Sequence, residues 1–278
     1  MKSSFRTFML MLVLTLLLVW VGGILGGKTG IIIALVFAGG MNFYSYWFSD
    51  KMVLNRYKAG EIGPGHPSGL YELVERLANK AELPMPKVFI TPEASPNAFA
   101  TGRNPQHAAV AASQGILRIL TRDELEGVMA HELAHVKHRD ILTSAVAATI
   151  AGALSALGQF AYFGSDRREN PMIAMVMMIV APLAGMIIRM AISRVREFEA
   201  DKGGAEISGK PLGLATALYK LQNGVQQIPM RTGKSSDSHM FIINPFFGGM
   251  QKLFSTHPKT EERIKRLEEI AGERILTN

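Results

Sequence analysis

The chain has 278 residues, which is enough for one large domain or two ordinary ones. Hydrophobic residues make up 48% of it and the mean hydropathy is +0.16, a balance that favours a membrane protein. The absence of cysteine excludes disulfides, thiolate metal ligands and cysteine nucleophiles. The net charge of +7 is not accompanied by a nucleic-acid-binding motif, so we expect a lipid bilayer, and no nucleic acid, as its partner.

Two apolar stretches near the start predict a transmembrane hairpin over residues 7–48. They run from 8 to 24 and from 31 to 48, and each is long enough to cross a hydrocarbon core of about 30 Å. Basic residues precede the first stretch and follow the second, whereas the loop between them carries only Lys28. Because basic residues accumulate on the cytoplasmic side, the chain after residue 48 is predicted to be cytoplasmic.

Residues 49–140 form the first part of the predicted soluble domain. A Gly/Pro-rich linker over 60–69 precedes an amphipathic helix over 70–81. Short extended pieces predict a small sheet, at 87–90, 95–102 and 108–112. The edge of such a sheet could pair with an extended peptide by main-chain hydrogen bonds. An ordinary buried hairpin is the alternative, and spacing alone does not choose between them.

The next helix, predicted over residues 121–140, carries the motif H-E-L-A-H. Thr121 and Glu124 form a capping-box pair at its start. His131 and His135 are four residues apart, so one helical turn brings both imidazoles to the same face. Two neutral imidazoles at that spacing can occupy two corners of a tetrahedral zinc site.

Glu132 would lie beside the open position of such a zinc ion. A carboxylate there can take a proton from water as general base and later deliver it to a leaving amine. The alternative is a surface helix with two solvated histidines. Apolar neighbours weaken that alternative, because they predict a partly buried helix: Leu133, Ala134 and Val136.

A second transmembrane hairpin is predicted over residues 141–192, from apolar stretches at 141–163 and 171–192. Two arginines in the loop between them fit an external loop poorly, and a shallow or partly buried hairpin is the alternative. A spanning hairpin would return the chain to the side from which it left. The final segment, 193–278, could then meet the two histidines and complete the site.

The third zinc ligand is predicted from the segment R-E-F-E-A-D. Glu197 is our candidate, and Asp201 lies one helical turn later, where it can bind the far nitrogen of a liganding histidine and fix its tautomer. Glu199 would point about 160° away from Glu197 on a helix, so both cannot bind one ion. Spacing alone leaves Glu199 as an alternative ligand.

Four motifs in this order resemble the membrane-bound zinc metalloproteases of the HtpX family, relatives of the eukaryotic CAAX prenyl proteases. They are N-A-F-A-T-G from Asn97, H-E-L-A-H, R-E-F-E-A-D, and S-T-H-P followed by E-E-R-I. The resemblance covers nearly the whole chain. It implies Glu197 as the zinc ligand, because the family's second motif is E-x-x-x-D. It also makes His257, Arg263 and Asn97 candidates for contacting the transition state or the substrate, with anchoring of the last helix as the alternative role of His257 and Arg263.

The same resemblance implies a mainly α-helical membrane protein with four transmembrane helices and a small α+β, gluzincin-type metalloprotease domain. It further implies one Zn²⁺ per chain and an endopeptidase that cleaves misfolded or damaged membrane proteins in the stress response. The expected place is the bacterial cytoplasmic membrane, with the active site facing the cytoplasm. The alternatives are a CAAX-type processing protease and a non-catalytic, zinc-stabilised scaffold, against which the intact Glu132 argues. Oligomeric state stays open.

Two further amphipathic helices are predicted in the last segment. The first runs over residues 210–222 with four leucines on one face. The second closes the chain and places three apolar residues on one side: Ile264, Leu267 and Ile270. Both helices are expected to pack against the soluble domain.

Overall fold

The structure is a computed structural model that divides the chain into two compact units. The first contains residues 1–48 and 142–192, and the second contains 49–141 and 193–278. The residues that the structure describes are 53–140, 193–227, 242 and 258–273, with isolated positions between 26 and 51. Both predicted transmembrane hairpins fall on the first unit and lie outside the described residues, apart from those isolated positions. No helix within the described residues is long and apolar enough to cross a membrane.

The second unit contains a four-stranded mixed sheet in the order β1-β2-β4-β3. Its strands are β1 (Gly60–Ile62), β2 (Lys87–Thr91), β3 (Ala98–Gly102) and β4 (Ala108–Ser113). β1 pairs antiparallel with β2, β2 pairs parallel with β4, and β3 pairs antiparallel with β4. The predicted sheet is therefore confirmed, and β3 forms one of its edges.

The prediction of a plain linker over residues 60–69 is wrong at its start, because that stretch opens with β1. Glu61 pairs with Phe89 and forms an ion pair with Lys87 across the two strands. Ile62 packs against the main core. A three-residue strand beside glycines shows no alternation to detect, so only its partner strand reveals it.

Most described helices of the second unit pack on one face of the sheet, whereas Val53 and Leu54, from helical residues 53–56, pack on the other. Helices occupy Leu70–Lys80, Gln114–Ile119, Arg122–His138, 193–208, Pro211–Gln227 and Thr260–Ala271. We call Arg122–His138 the central helix and Thr260–Ala271 the last helix. Ser113 caps the short helix that follows β4, and its six residues are too few to show the periodicity by which sequence reasoning finds helices.

The central helix begins as predicted. The Thr121 hydroxyl accepts from the Glu124 N–H, and the Glu124 carboxylate accepts from the Thr121 N–H at 2.8 Å. It ends at His138 instead of Asp140, because Arg139 adopts a left-handed conformation with φ 57°. Most of its residues are buried, since it packs against the sheet and other helices of the unit.

The last helix buries a different face from the predicted one. Ile264 and Leu267 are buried as expected, whereas Ile270 is 48% exposed. Arg263 takes its place on the inner face and is only 1% exposed. The reason is electrostatic, because acidic side chains from the 193–208 helix meet its guanidinium there.

Candidate metal centre and active site

The central helix brings its two histidines together as the four-residue spacing requires. The ring centroids of His131 and His135 are 4.6 Å apart, and the rings meet edge to face. The two Nε2 atoms lie 3.1 Å from each other. His131 is 1% exposed, whereas 14% of the His135 side chain is exposed. The pair therefore presents two nitrogens at one point, with the more open side at His135.

The 193–208 helix supplies a carboxylate to the same point. Glu197 Oε2 lies 3.7 Å from His131 Nε2, and Oε1 lies 3.6 Å from His135 Nε2. One donor atom from each of the three residues falls within 4.8 Å of the others. Glu199, the alternative that spacing left open, is exposed to solvent on the same helix. The structure thus brings Glu197 to the histidines and turns Glu199 away.

Each histidine also has a carboxylate on its other nitrogen. Asp201 Oδ1 lies 3.0 Å from His131 Nδ1, and Asp140 Oδ2 lies 2.9 Å from His135 Nδ1. Ionised carboxylates only accept hydrogen bonds, so the His135 Nδ1 carries a proton and donates it to Asp140, and the 3.0 Å contact with Asp201 favours the same tautomer at His131. Both Nε2 atoms are then left with lone pairs that face each other.

This arrangement fits a divalent metal ion. Two nitrogen lone pairs 3.1 Å apart repel each other unless a cation lies beside them. Metal–nitrogen bonds of about 2.0 Å in a tetrahedron place ligand atoms about 3.3 Å apart, close to the separations seen here. Imidazole and carboxylate are also the donor types that remain in a protein without cysteine.

The pKa values of the two histidines are shifted in opposite directions. Burial lowers the pKa of His131, which keeps its imidazole in the neutral form that binds metals. Burial also acts to lower the pKa of His135, but Asp140 and Glu197 outweigh it, so the pKa is raised. Without a metal, a proton on His135 Nε2 can supply the cation between the rings, and metal binding must displace it.

Arg263 lies at the back of the site and connects its acidic groups. Its Nε and Nη2 donate to the two carboxylate oxygens of Asp201 at 2.8 and 2.7 Å. Its Nη1 donates to the Ile242 carbonyl and lies 3.2 Å from Glu197 Oε2. The guanidinium is fully engaged with the residues that position the metal ligands. His257, the other sequence candidate near the chain end, lies outside the described residues.

Glu132 follows His131 on the central helix and is 5% exposed. Burial raises the pKa of its carboxyl group to about 7, with the charge of Glu197 adding to the effect. The nearby positive charge of His135 and a hydrogen bond from the Ala100 backbone act in the opposite direction. A carboxyl group with a pKa near neutrality can both accept and donate a proton under the same conditions.

The outer edge of β3 faces this carboxylate. Asn97, just before the strand, donates its N–H to the Ser113 hydroxyl and accepts from the Ser113 N–H, so its backbone points to β4. In an antiparallel ladder the backbone N–H and C=O groups of successive residues point alternately toward and away from the partner strand. Those of Ala98, Ala100 and Gly102 therefore point to the outer edge of β3. The contact of Ala100 with Glu132 agrees with that alternation.

Sequence reasoning missed two residues of the site, Asp140 and Arg196. Asp140 follows the end of a helix, and helical periodicity says nothing about a side chain beyond the last turn. Arg196 directly precedes Glu197, and a basic residue just after an apolar stretch is common and gives no sign of a role in a site. The only signal was their position at the two ends of the predicted hairpin at 141–192.

Comparison with known proteins agrees with the site. The model of peptidase family M48 matches residues 67–271. Proteins described as "Protease HtpX homolog" are 55% identical in Burkholderia cenocepacia (strain HI2424), over 274 residues and 96% of each chain, and in Methylibium petroleiphilum, over 283 residues, 99% of this chain and 100% of that one.

A solved structure shares the fold. The crystal structure of S. mikatae Ste24p superposes with a TM-score of 0.57 at 18% sequence identity. The match covers 85% of this chain but only 57% of that one, so the chain spans little more than half of the larger protein. The family match and the 55% identity over almost the whole chain lead to one conclusion: the chain belongs to peptidase family M48 and is a metalloprotease.

Proposed function

We propose that this chain is a membrane-bound zinc endopeptidase of protein quality control, which cleaves misfolded or damaged membrane proteins. The convergence of His131, His135 and Glu197 beside the buried Glu132 is the observation that carries the proposal. The three residues would hold one Zn²⁺, for which two imidazoles and a carboxylate are a usual set. When bound, zinc would supply a Lewis acid that polarises a peptide carbonyl and makes water more acidic.

The chain's own residues then divide the work. Asp201 and Asp140 hold the two imidazoles in the tautomer whose Nε2 is free for a metal. Glu132 takes a proton from the attacking water and gives it to the leaving amine nitrogen. Without a metal, burial raises the pKa of this carboxyl group to about 7, and a cation bound beside it would lower that pKa and favour the ionised form that accepts the proton. Arg263 contributes by fixing Asp201 and Glu197, an anchoring role.

Substrate would be held by its main chain. The outer edge of β3 would offer the backbone of Ala100, which is partly exposed, to an extended peptide. Hydrogen bonds of this type depend little on sequence, which suits an enzyme that acts on many unfolded chains. Asn97, at the start of that edge, would help to hold the strand through its two bonds to Ser113.

The membrane part of the proposal rests on sequence. Four apolar stretches, two at 8–48 and two at 141–192, are each long enough to span a bilayer. The proposed location is the bacterial cytoplasmic membrane, with residues 49–140 and 193–278 in the cytoplasm. The proposed partners are therefore the lipid bilayer and unfolded segments of damaged membrane proteins.

The test is cleavage of an unfolded test protein by the full chain, purified in detergent and reloaded with zinc. We expect Glu132→Gln to keep one zinc per chain and to lose cleavage, and a chelator to abolish cleavage by the wild type. Glu197→Ala should lose most of the zinc. Glu199→Gln is the matched control, because this exposed carboxylate on the same helix should be dispensable.

Three outcomes would contradict the proposal or its ligand assignment. Full cleavage by Glu132→Gln would remove the assigned base. Zinc bound at one per chain without any cleavage of unfolded protein would favour a specialised processing protease or a scaffold. Normal zinc and activity in Glu197→Ala would refute the ligand assignment.

A further inference from the structure

Asp140 lies outside the motifs that define the site, yet it holds one of the metal-facing histidines. Its Oδ2 is 2.9 Å from His135 Nδ1, and the residue is 4% exposed. The carboxylate fixes the proton on Nδ1 and leaves the Nε2 lone pair for a metal. Asp140 therefore stands to His135 as Asp201 stands to His131.

The end of the central helix explains how Asp140 reaches back to His135. Arg139 takes the left-handed conformation, and its N–H bonds to the carbonyls of His135 and Val136. A left-handed residue at this place reverses the chain, so the next side chain can point back toward the helix. This conformation costs a non-glycine residue about 1 kcal/mol, so other contacts must hold the turn.

Arg196 supplies such a contact. Its Nε lies 2.9 Å from Asp140 Oδ1, and its guanidinium also donates to the Asp140 carbonyl. Both side chains are largely buried, with 12% of Arg196 and 6% of Asp140 exposed. Arg196 directly precedes Glu197 on the 193–208 helix. The helix that supplies Glu197, the third metal ligand, therefore also binds the carboxylate that orients His135.

We propose that Asp140 and Arg196 are a pair of positioning residues that fix His135 relative to Glu197 and so set the affinity for the metal. The proposal rests on the proposed metal site. The pair also joins the two places where the chain leaves the second unit, after 141, and returns to it, at 193. The same two side chains therefore order a metal ligand and hold together the ends of the segment between them.

A purely structural ion pair would behave differently. Its removal would lower the stability of the folded protein but would leave the metal affinity of the folded fraction unchanged. If Arg196 acts through Asp140, its effect on the metal must also vanish once Asp140 is gone. A double-mutant cycle measures this dependence directly.

The experiment uses the full chain in detergent, with zinc affinity measured by competition against a chromogenic chelator. We expect Asp140→Ala to weaken zinc binding by about 10–100-fold, the usual effect of removing such a partner. Arg196→Gln should weaken it less, and the double variant should match Asp140→Ala alone. The visible spectrum of the cobalt-loaded protein gives a second readout, and its bands should shift in Asp140→Ala because the geometry at His135 changes.

Matched variants keep the test sharp. Glu61→Gln removes a carboxylate from an exposed ion pair with Lys87 and should keep wild-type affinity. Arg196→Lys keeps the charge but not the fork of donors and should lie between wild type and Arg196→Gln. Thermal melting of the metal-free variants shows whether they fold, and Asp140→Asn, which keeps the side-chain shape, replaces Asp140→Ala if that variant does not.

Two results would overturn the proposal. One is wild-type zinc affinity in a folded Asp140 variant. The other is an equal effect of Arg196→Gln with and without Asp140. Failure of the metal site itself would show separately, because the wild type would then not bind zinc, or Glu197→Ala would bind it normally.

Discussion

Gly204 is the position at which a single added methyl group should separate the two halves of the metal site. It lies on the 193–208 helix where that helix crosses the central helix. A Cβ at this position would lie 2.8 Å from the backbone nitrogen of His131 and 2.9 Å from its Cα. Ordinary contact begins at about 3.4 Å, so the helices must move apart by about 0.6 Å.

The sign of the stability change distinguishes this reasoning from a simple propensity argument. Alanine is favoured over glycine inside a helix by about 1 kcal/mol, so without a clash Gly204→Ala would stabilise the protein. Overpacking against a rigid backbone costs about 1–3 kcal/mol and should outweigh that gain. Glu197 and Asp201 ride on the displaced helix, so zinc affinity should fall by about 10-fold or more.

The assay combines the thermal midpoint of the metal-free protein with zinc competition. The neighbouring Gly203→Ala is the milder comparison, because its Cβ would lie 3.0 Å from the Ala134 Cβ, which moves only with its backbone, and 3.3 Å from the His138 ring, which can rotate. Gly63→Ala places its Cβ in open space and should change little. Equal behaviour of Gly204→Ala and Gly203→Ala in both measurements would refute the argument.

Two further predictions concern Arg263 and the helix cap. Arg263→Met keeps the volume but leaves Asp201 and Glu197 without their shared cation, so the metal-free protein should lose about 3–5 kcal/mol, seen as a lower melting temperature. A fall in the turnover number alone, with stability and zinc affinity intact, would instead make Arg263 a transition-state contact. Thr121→Ala should cost about 1 kcal/mol through loss of the cap. Its zinc affinity should stay at the wild-type value, and a large fall would show that the cap also positions His131.

Local signals explain why the central helix could be predicted. The capping box lies within four residues, and the two histidines lie within one turn, so neither depends on the rest of the fold. Sequence also gave the buried face of the Leu70–Lys80 helix, since its apolar positions recur with helical spacing. These features are properties of one segment and need no knowledge of its neighbours.

Long-range pairings explain what could not be predicted. Spacing could not choose between Glu197 and Glu199, because the choice depends on which side of the 193–208 helix faces the central helix. Glycine made that approach possible at Gly204, and no propensity scale reports such a contact. Arg263 was predicted to contact the transition state or to anchor the last helix. Its burial could not be read from local spacing, because it depends on acidic residues more than 60 positions away.

The charge balance of the site explains why so many buried ions can coexist. Each histidine contacts an aspartate, which in turn contacts an arginine. His131 contacts Asp201, which pairs with Arg263, and His135 contacts Asp140, which pairs with Arg196. Each set of three side chains has no net charge if its imidazole is neutral, because the aspartate and the arginine cancel. Glu197 and Glu132 then leave two negative charges in a buried place, a costly arrangement.

A divalent cation removes that excess, and protons do so in its absence. Burial, with the charge of Glu197 adding to it, raises the pKa of Glu132 to about 7, and Asp140 and Glu197 raise the pKa of His135. Metal binding therefore has to release protons, and affinity should fall as the pH drops below about 7. The two aspartate–arginine pairs can be buried because each pair has no net charge. The metal ion therefore has to balance only the negative charges of Glu197 and Glu132.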